Sequence, residues 1–410
     1  MNNAITMHRL PIHLLPLIVI FALLATPAGA VSLAEAVSIA LERHPAGAER
    51  RTLLDLADGY RTRGNSLLGG DPSLDIATAS DSLGSDFGYE EYAIGIALPL
   101  ASPGQRRAHR TLADDLEQLS ASALARLRWE VAGEVLTLAW RLEIATSDAR
   151  EAQKQWAGAQ ALESDVKHRY EAGELARNDL LLAQQDVLDK EAGYQEALSM
   201  REQARLAWRN YTGLDQLPDD LEQFSVRQDI PPLEAHPRLV EALDRTTSFT
   251  ARAAMARALR RAAPVVSIYS QRDRGSRPEA YTDSIGIELS LPLGTRSQAA
   301  PAIAEAEAER ATAESDAMLL QRRLALQIDS AEQEVTNSRE LLTLANAKAK
   351  AAEARLHLAQ RAFELGEMNL YQLLLARQQA AHATRELRRR ELEAQRAIAI
   401  RNHLSGVIPQ

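Results

Sequence analysis

The chain of 410 residues contains no cysteine, which removes disulfides, thiolate zinc sites, iron–sulfur clusters and cysteine nucleophiles together. Aromatic residues make up only 4% of it, and with abundant Ala, Leu, Glu and Arg this points to long, closely packed helices. Basic charge is short as well: 47 Lys+Arg stand against 56 Asp+Glu, a formal net charge of -9. No basic stripe is present, which argues against nucleic acid as a partner, because neutralising phosphates requires one. There is no P-loop, no G-x-S-x-G elbow, no H-E-x-x-H and no dinucleotide glycine fingerprint, so neither an enzyme nor a cofactor is expected. The carboxylates fall among arginines, as on the solvated face of a coiled coil.

What is present begins with an address. A weakly basic start with His8 and Arg9 leads into an apolar run from Leu14 to Ala25 and ends in Ala28-Gly29-Ala30. This is the pattern of a secretory signal peptide over residues 1–30, with cleavage before Val31. Beyond it, no segment offers the ~20 unbroken apolar residues of a spanning helix. If the mature chain enters a membrane, it must do so with strands.

The rest is written twice. His44-Pro45 recurs as His236-Pro237, Ile94-Gly95-Ile96 as Ile285-Gly286-Ile287, and Tyr170-Glu171-Ala172-Gly173-Glu174 as Phe363-Glu364-Leu365-Gly366-Glu367, at offsets of 192, 191 and 193. A common order at a nearly constant offset implies an internal duplication: a first unit over 31–212, a linker over 213–236 and a second unit over 237–410. Gly213, Pro218, Pro231 and Pro232 interrupt helical patterning in the linker. Each unit is expected to hold a helix, two strands (near 72–83 and 89–100, then near 264–272 and 281–293), and a very long helix that turns back at a glycine, with tips near 170–178 and 363–371.

Leu324, Ile328, Ala331, Val335, Ser338, Leu342, Ala345, Ala349, Ala352, Leu356, Ala359 and Phe363 alternate steps of four and three, a heptad seam with no proline or glycine inside it. A helix over 105–170 at ~1.5 Å per residue is roughly 100 Å long, too long for a compact globule. In the strands, Ile285, Ile287, Leu289 and Leu291 alternate with Ser284, Gly286, Glu288 and Ser290, and Tyr92, Ile94, Ile96 and Leu98 with Ala93, Gly95 and Ala97. Such alternation fits a barrel wall, apolar outward and wet inward, and equally a soluble two-hairpin sheet. Four strands cannot close a barrel, and lipid forbids an open sheet edge. The chain must keep its sheet in water or complete a barrel with copies of itself, and the signal peptide favours the second.

These residues resemble the TolC family of bacterial outer-membrane efflux proteins. Leu33-Ala34-Glu35-Ala36-Val37 through His44-Pro45 looks like the family's N-terminal signature, and the segments from Arg169 to Asp179 and from Phe363 to Leu373 are similar to its paired tips. Leu98-Pro99-Leu100 followed by Pro103-Gly104-Gln105-Arg106 resembles the strand-to-helix transition of the heavy-metal (cobalt-zinc-cadmium type) members. The resemblance covers essentially the whole mature chain. It implies a mostly α fold with a β-barrel contribution: a homotrimer whose protomers each lend four strands to a twelve-stranded outer-membrane barrel, continued by an α-helical barrel through the periplasm. The implied function is the exit duct of a tripartite resistance-nodulation-division type efflux pump, with heavy-metal cations as cargo. Implied partners are outer-membrane lipid, a periplasmic adaptor and, through the adaptor, an inner-membrane pump. Organic compounds or exported polypeptide are the alternative cargoes, and a soluble periplasmic coiled-coil scaffold or adaptor is the alternative of another class.

Gly173 and Gly366 lie where reversal needs a residue tolerant of positive φ. The resemblance adds that the tips dock the adaptor through Tyr170, Glu174 and Leu175, and through Phe363, Glu367 and Met368. It places Asp179 in the periplasmic constriction, where three carboxylates would favour cations. The same residue reads otherwise as a first-turn helix acid, with Asn178 as a cap. The family's gate also uses an arginine and a further aspartate, and the matching places here are Met368 and Leu375, so a salt-bridged gate of that kind is not expected. Among seven histidines beyond the leader none pairs with another at helical spacing, so no metal site is expected. His44 and His236, each before a proline, are expected at helix boundaries.

Overall fold

The computed structural model describes residues 31–218, 221, 225–293 and 296–408; the leader expected over 1–30 lies outside the described residues. Helix α1 (Leu33–Arg43) buries Leu33, Ala36, Val37 and Ala40, one face of a 3.6-residue period, and Ser32 caps it by accepting from the Glu35 amide at 3.2 Å. The His44-Pro45 step ends α1, and the His44 Nδ1 accepts a hydrogen bond from the Ala46 amide as α2 (Gly47–Asn65) begins. In the second half His236 does the same for α5 (Pro237–Ala258), its Nδ1 accepting from the Arg238 amide at 3.2 Å. The place of α1 there is taken by a single 3-10 turn, Leu233–Ala235.

Strands β1 (Ser73–Ser80), β2 (Glu90–Pro99), β3 (Val265–Arg274) and β4 (Thr282–Ser290) form one antiparallel sheet in that order. The halves therefore meet edge to edge at β2 and β3. β1 stops short of residue 83 because the Asp81 carboxylate accepts from the amides of Phe87 and Gly88, at 2.8 and 3.1 Å, and folds the chain back.

The strands hand over to two helices of 69 residues each, α3 (Pro103–Glu171) and α6 (Arg296–Glu364). At ~1.5 Å per residue each is roughly 100 Å long. A reciprocal capping box starts α3: the Ser102 hydroxyl accepts from the Gln105 amide at 3.2 Å, the Gln105 side chain accepts from the Ser102 amide at 3.0 Å, and Pro103 fills the first turn. The Gln105 Nε2 also donates to the Arg261 carbonyl ahead of β3. The Pro103-Gly104-Gln105 segment thus stitches the two halves together where sheet becomes helix.

α3 turns back into α4 (Arg177–Thr212), and α6 into α7 (Leu370–Leu404). The expected seam of α6 holds throughout: every one of its twelve residues is buried or half-buried, with Leu324 fully enclosed. The main core lies midway, where α1, α3, α4 and α7 meet around Trp140 and Trp208. A second core, built on Val166, Phe363 and Leu370, fills the tips. The sheet forms no packed face with any helix. Among the described residues no helix is long and apolar enough to cross a membrane.

Candidate functional site

The register of the sheet lines up an apolar row across all four strands, Leu74–Ile96–Ile268–Ile287, with Ile76, Ile94 and Ile285 in the next row. Among the described residues nothing covers it: Ile285 is 82% exposed and Ile76 74%. The strand residues on the opposite face are small or polar apart from Tyr269 and the strand ends. A soluble sheet would turn its apolar face to a core. Here that face has none, and of the two arrangements open at the sequence level the geometry matches a barrel wall.

Charge is sorted by face. Glu90 pairs with Arg274 at 3.0 Å and Asp283 with Arg272 at 3.6 Å, on the apolar face near one end of the strands. The Tyr281 ring lies against both arginines, 5.0 and 4.9 Å from their guanidinium carbons. On the opposite face the charged strand residues are Asp75, Glu91, Asp273 and Glu288, all acidic, and among the described residues none of the four makes an ion pair. Glu91 and Asp273 are direct cross-strand partners, an arrangement that costs stability in an ordinary sheet. In the sequence these carboxylates are legible only as residues out of phase with the isoleucines, as Glu288 is in β4.

At the opposite end, both turns are Schellman motifs. Gly173 (φ +79) follows α3, with the Glu174 amide bonded to the Arg169 carbonyl and the Gly173 amide to that of Tyr170. Gly366 (φ +76) follows α6 in the same way, with Glu367 bonded to Ala362 and Gly366 to Phe363. Tyr170, Gly173, Glu174, Gly366 and Glu367 are exposed, while Leu175 and Met368 are half-buried. Phe363 departs from the expectation: it is 5% exposed, enclosed in the tip core, with the Arg169 guanidinium 5.2 Å from its ring centroid. It joins the two tips to each other and presents no surface of its own.

Asp179 occupies the third position of α4 and accepts from the Ala176 amide at 3.2 Å. The cap residue of α4 is therefore Ala176, and Asn178, the expected cap, already lies inside the helix. Ala176 has no side-chain acceptor for the first-turn amides, and Asp179 makes only the return half of a capping box, to the Ala176 amide. In the second tip Asn369 caps α7 directly, accepting from the Gln372 amide at 2.9 Å.

No protein-family model matches the sequence, and no curated protein matches it. Solved structures do. The CmeC outer membrane channel of Campylobacter jejuni superposes with a TM-score of 0.68 at 16% identity, over 92% of this chain and 86% of that one. A membrane protein from Pseudomonas aeruginosa gives 0.68 at 19% identity over 91% and 93%. The outer membrane protein VceC of Vibrio cholerae gives 0.67 at 14% identity over 91% and 96%. The chain has the fold of an outer-membrane channel protomer. In all three the match spans 91–92% of this chain and 86–96% of the other.

Proposed function

We propose that this chain is one protomer of a trimeric outer-membrane exit duct, the outermost part of a tripartite efflux pump of the resistance-nodulation-division type. The observation that carries this is the uncovered apolar row on a sheet whose two edges, β1 and β4, have no partner strand. Lipid is the solvent that suits the row, and closure with copies of the chain is the only way to satisfy the edges there. The helices carry a matching need: Leu344 and Leu358 on α6, with Leu365 just past its end, and Leu181 and Leu188 on α4, are exposed at multiples of seven residues, unfilled seams for neighbouring protomers. A water-soluble scaffold would leave both surfaces bare.

The tips are the proposed docking face for a periplasmic adaptor, through Tyr170, Gly173, Glu174, Gly366 and Glu367, with Leu175 and Met368 at the rim and Phe363 supporting them from below. Asp179, fixed by its bond to the Ala176 amide, is proposed to ring the narrow periplasmic end. Heavy-metal cations are the proposed cargo. In support, the face opposite the apolar row would line the barrel and carries only carboxylates, none neutralised within the chain, which favours cations over anions.

The assembly is tested by extracting the membrane fraction in mild detergent and measuring protein mass by light scattering. The expected result is three times the processed chain, from outer membrane. A monomer in the soluble periplasmic fraction would refute the duct. For the cargo, cells lacking the protein should become sensitive to divalent zinc, cobalt or cadmium and not to organic dyes; the reverse pattern would overturn the cation assignment.

A further inference from the structure

The duplicated Ile-Gly-Ile motif has a use that neither copy explains alone. Gly95 and Gly286 are both register partners of Tyr269, one on each side of it, and Asp75 completes the same level across the sheet. The Tyr269 side chain leans over β4. A Cβ at Gly286 would overlap the end of its phenol ring, and a Cβ at Gly95 would come within 2.8 Å of the Tyr269 Cβ. The ring therefore lies along the wall in a seat made by the missing side chain of Gly286, while Gly95 leaves room for the Tyr269 Cβ. The first-half counterpart, the β1 partner of Gly95, is Asp75, so each protomer has one such ring. With Gly95 and Gly286 bare, Tyr269 and Asp75 are the only side chains beyond hydrogen at this level of the wall.

The geometry points to Tyr269 as the size-determining residue of the β-barrel lumen, with Gly286 as the positioning residue that keeps its ring out of the bore. This rests on the exit-duct reading, which makes the face opposite the apolar row the lumen. A methyl at position 286 has no room under the phenol. The side chain pivots at χ1 and χ2 into the only open direction, toward the axis, and three copies do so at one level.

The test is conductance of the purified full-length trimer in planar bilayers. Parent, Gly286→Ala, Tyr269→Ala and the double variant are compared, with a heat-resistant trimer on gels as the check on assembly. Gly286→Ala should lower single-channel conductance and slow passage of large organic cations more than of potassium. Tyr269→Ala should not lower it, and the double variant should recover the parent's value. Gly95→Ala meets the Tyr269 Cβ and the Ile268 carbonyl, which Tyr269→Ala retains, so whatever loss it causes should persist in that background. A Gly286→Ala channel as conductive as the parent, or one whose loss persists without Tyr269, overturns the inference and leaves the duct standing. A parent trimer that forms no channel overturns both.

Discussion

Arginine in place of Ile285 separates a lipid-facing wall from a solvent-facing sheet more sharply than any other single change. Ile285 sits near the middle of β4, 82% exposed, in a row with Ile76 and Ile94. If that exposure is to water, Ile285→Arg is a surface substitution and costs within about 0.5 kcal/mol. If it is to hydrocarbon, each arginine near the bilayer midplane costs roughly 2–4 kcal/mol, and three copies in one barrel cost about 6–12 kcal/mol. That rivals the ~5–15 kcal/mol that holds a typical fold together, so the variant trimer should fail to accumulate in the outer membrane. Ser284→Arg is the internal control: one residue away, it carries the same charge on the opposite face, where water solvates it. Refolding into lipid vesicles, followed by denaturant titration and by the heat-resistant trimer band, reads both. An Ile285→Arg variant as stable as the parent, or a Ser284→Arg variant as damaged as Ile285→Arg, would refute the assignment of faces.

Acid should loosen the join between the C-terminus and α3. The His403 ring stacks on Trp129 at 4.5 Å and the His236 ring meets the same indole edge-on at 5.0 Å; burial pushes both imidazoles down to about 4, helped by Arg238 beside His236 and by the two histidines opposing each other. Unfolded, both take up protons near pH 6.5, so stability is complete above about pH 7 and falls by up to about 2.7 kcal/mol per pH unit between about 6.5 and 4. Melting temperature against pH measures this, and His403→Leu should halve the slope; an unchanged slope refutes it. Gly173→Ala and Gly366→Ala should each cost about 1–2 kcal/mol from the left-handed backbone alone, since neither glycine has a neighbour within 4 Å for a methyl to touch; thermal melts that do not move would contradict this. Asn402 donates to the Ser225 carbonyl at 2.9 Å and accepts from the Arg227 amide at 3.3 Å, so Asn402→Ala should cost about 1–3 kcal/mol. Amide exchange should rise around residues 225–228 before it rises in α6, and uniform protection would count against that local role.

The long helices were legible because a heptad of alanines and leucines is a local signal, and it runs unbroken for forty residues of α6. The faces of the strands were legible for the same reason, period two being local as well. What was missed depends on residues far apart in the chain. Phe363 reads as an exposed tip residue until the other tip is folded beside it and Arg169 lies over its ring. Trp129 donates its indole hydrogen to the His403 carbonyl across 274 positions, and no periodicity links them. Asn178 looked like the cap of α4 because asparagine is a good one, yet the cap lies two residues earlier at Ala176, which has no side-chain acceptor, and the side-chain bond there runs back from Asp179 to the Ala176 amide. The glycines of the Ile-Gly-Ile motif were noticed as a repeat mark. Their partner Tyr269 has no copy in the other half, so a search for repetition could not find it.

The distribution of bonds along the two helical hairpins sets where they can bend. Within each hairpin the helices are joined by a continuous apolar seam, close-packed and insensitive to salt or pH. Between the hairpins, apolar cores lie near Trp140 and at the tips, and the stretch between them carries polar joints: Arg377 donates to the Gly158 carbonyl at 3.1 Å and Arg385 to the Gln155 side chain at 2.9 Å. In each an arginine meets a neutral group, so screening by salt would loosen them little. Water can replace such a hydrogen bond at small cost, whereas it cannot replace a buried alanine contact. The hairpin is therefore the stiff element, and the gap between hairpins, over the stretch between the two apolar cores, the compliant one.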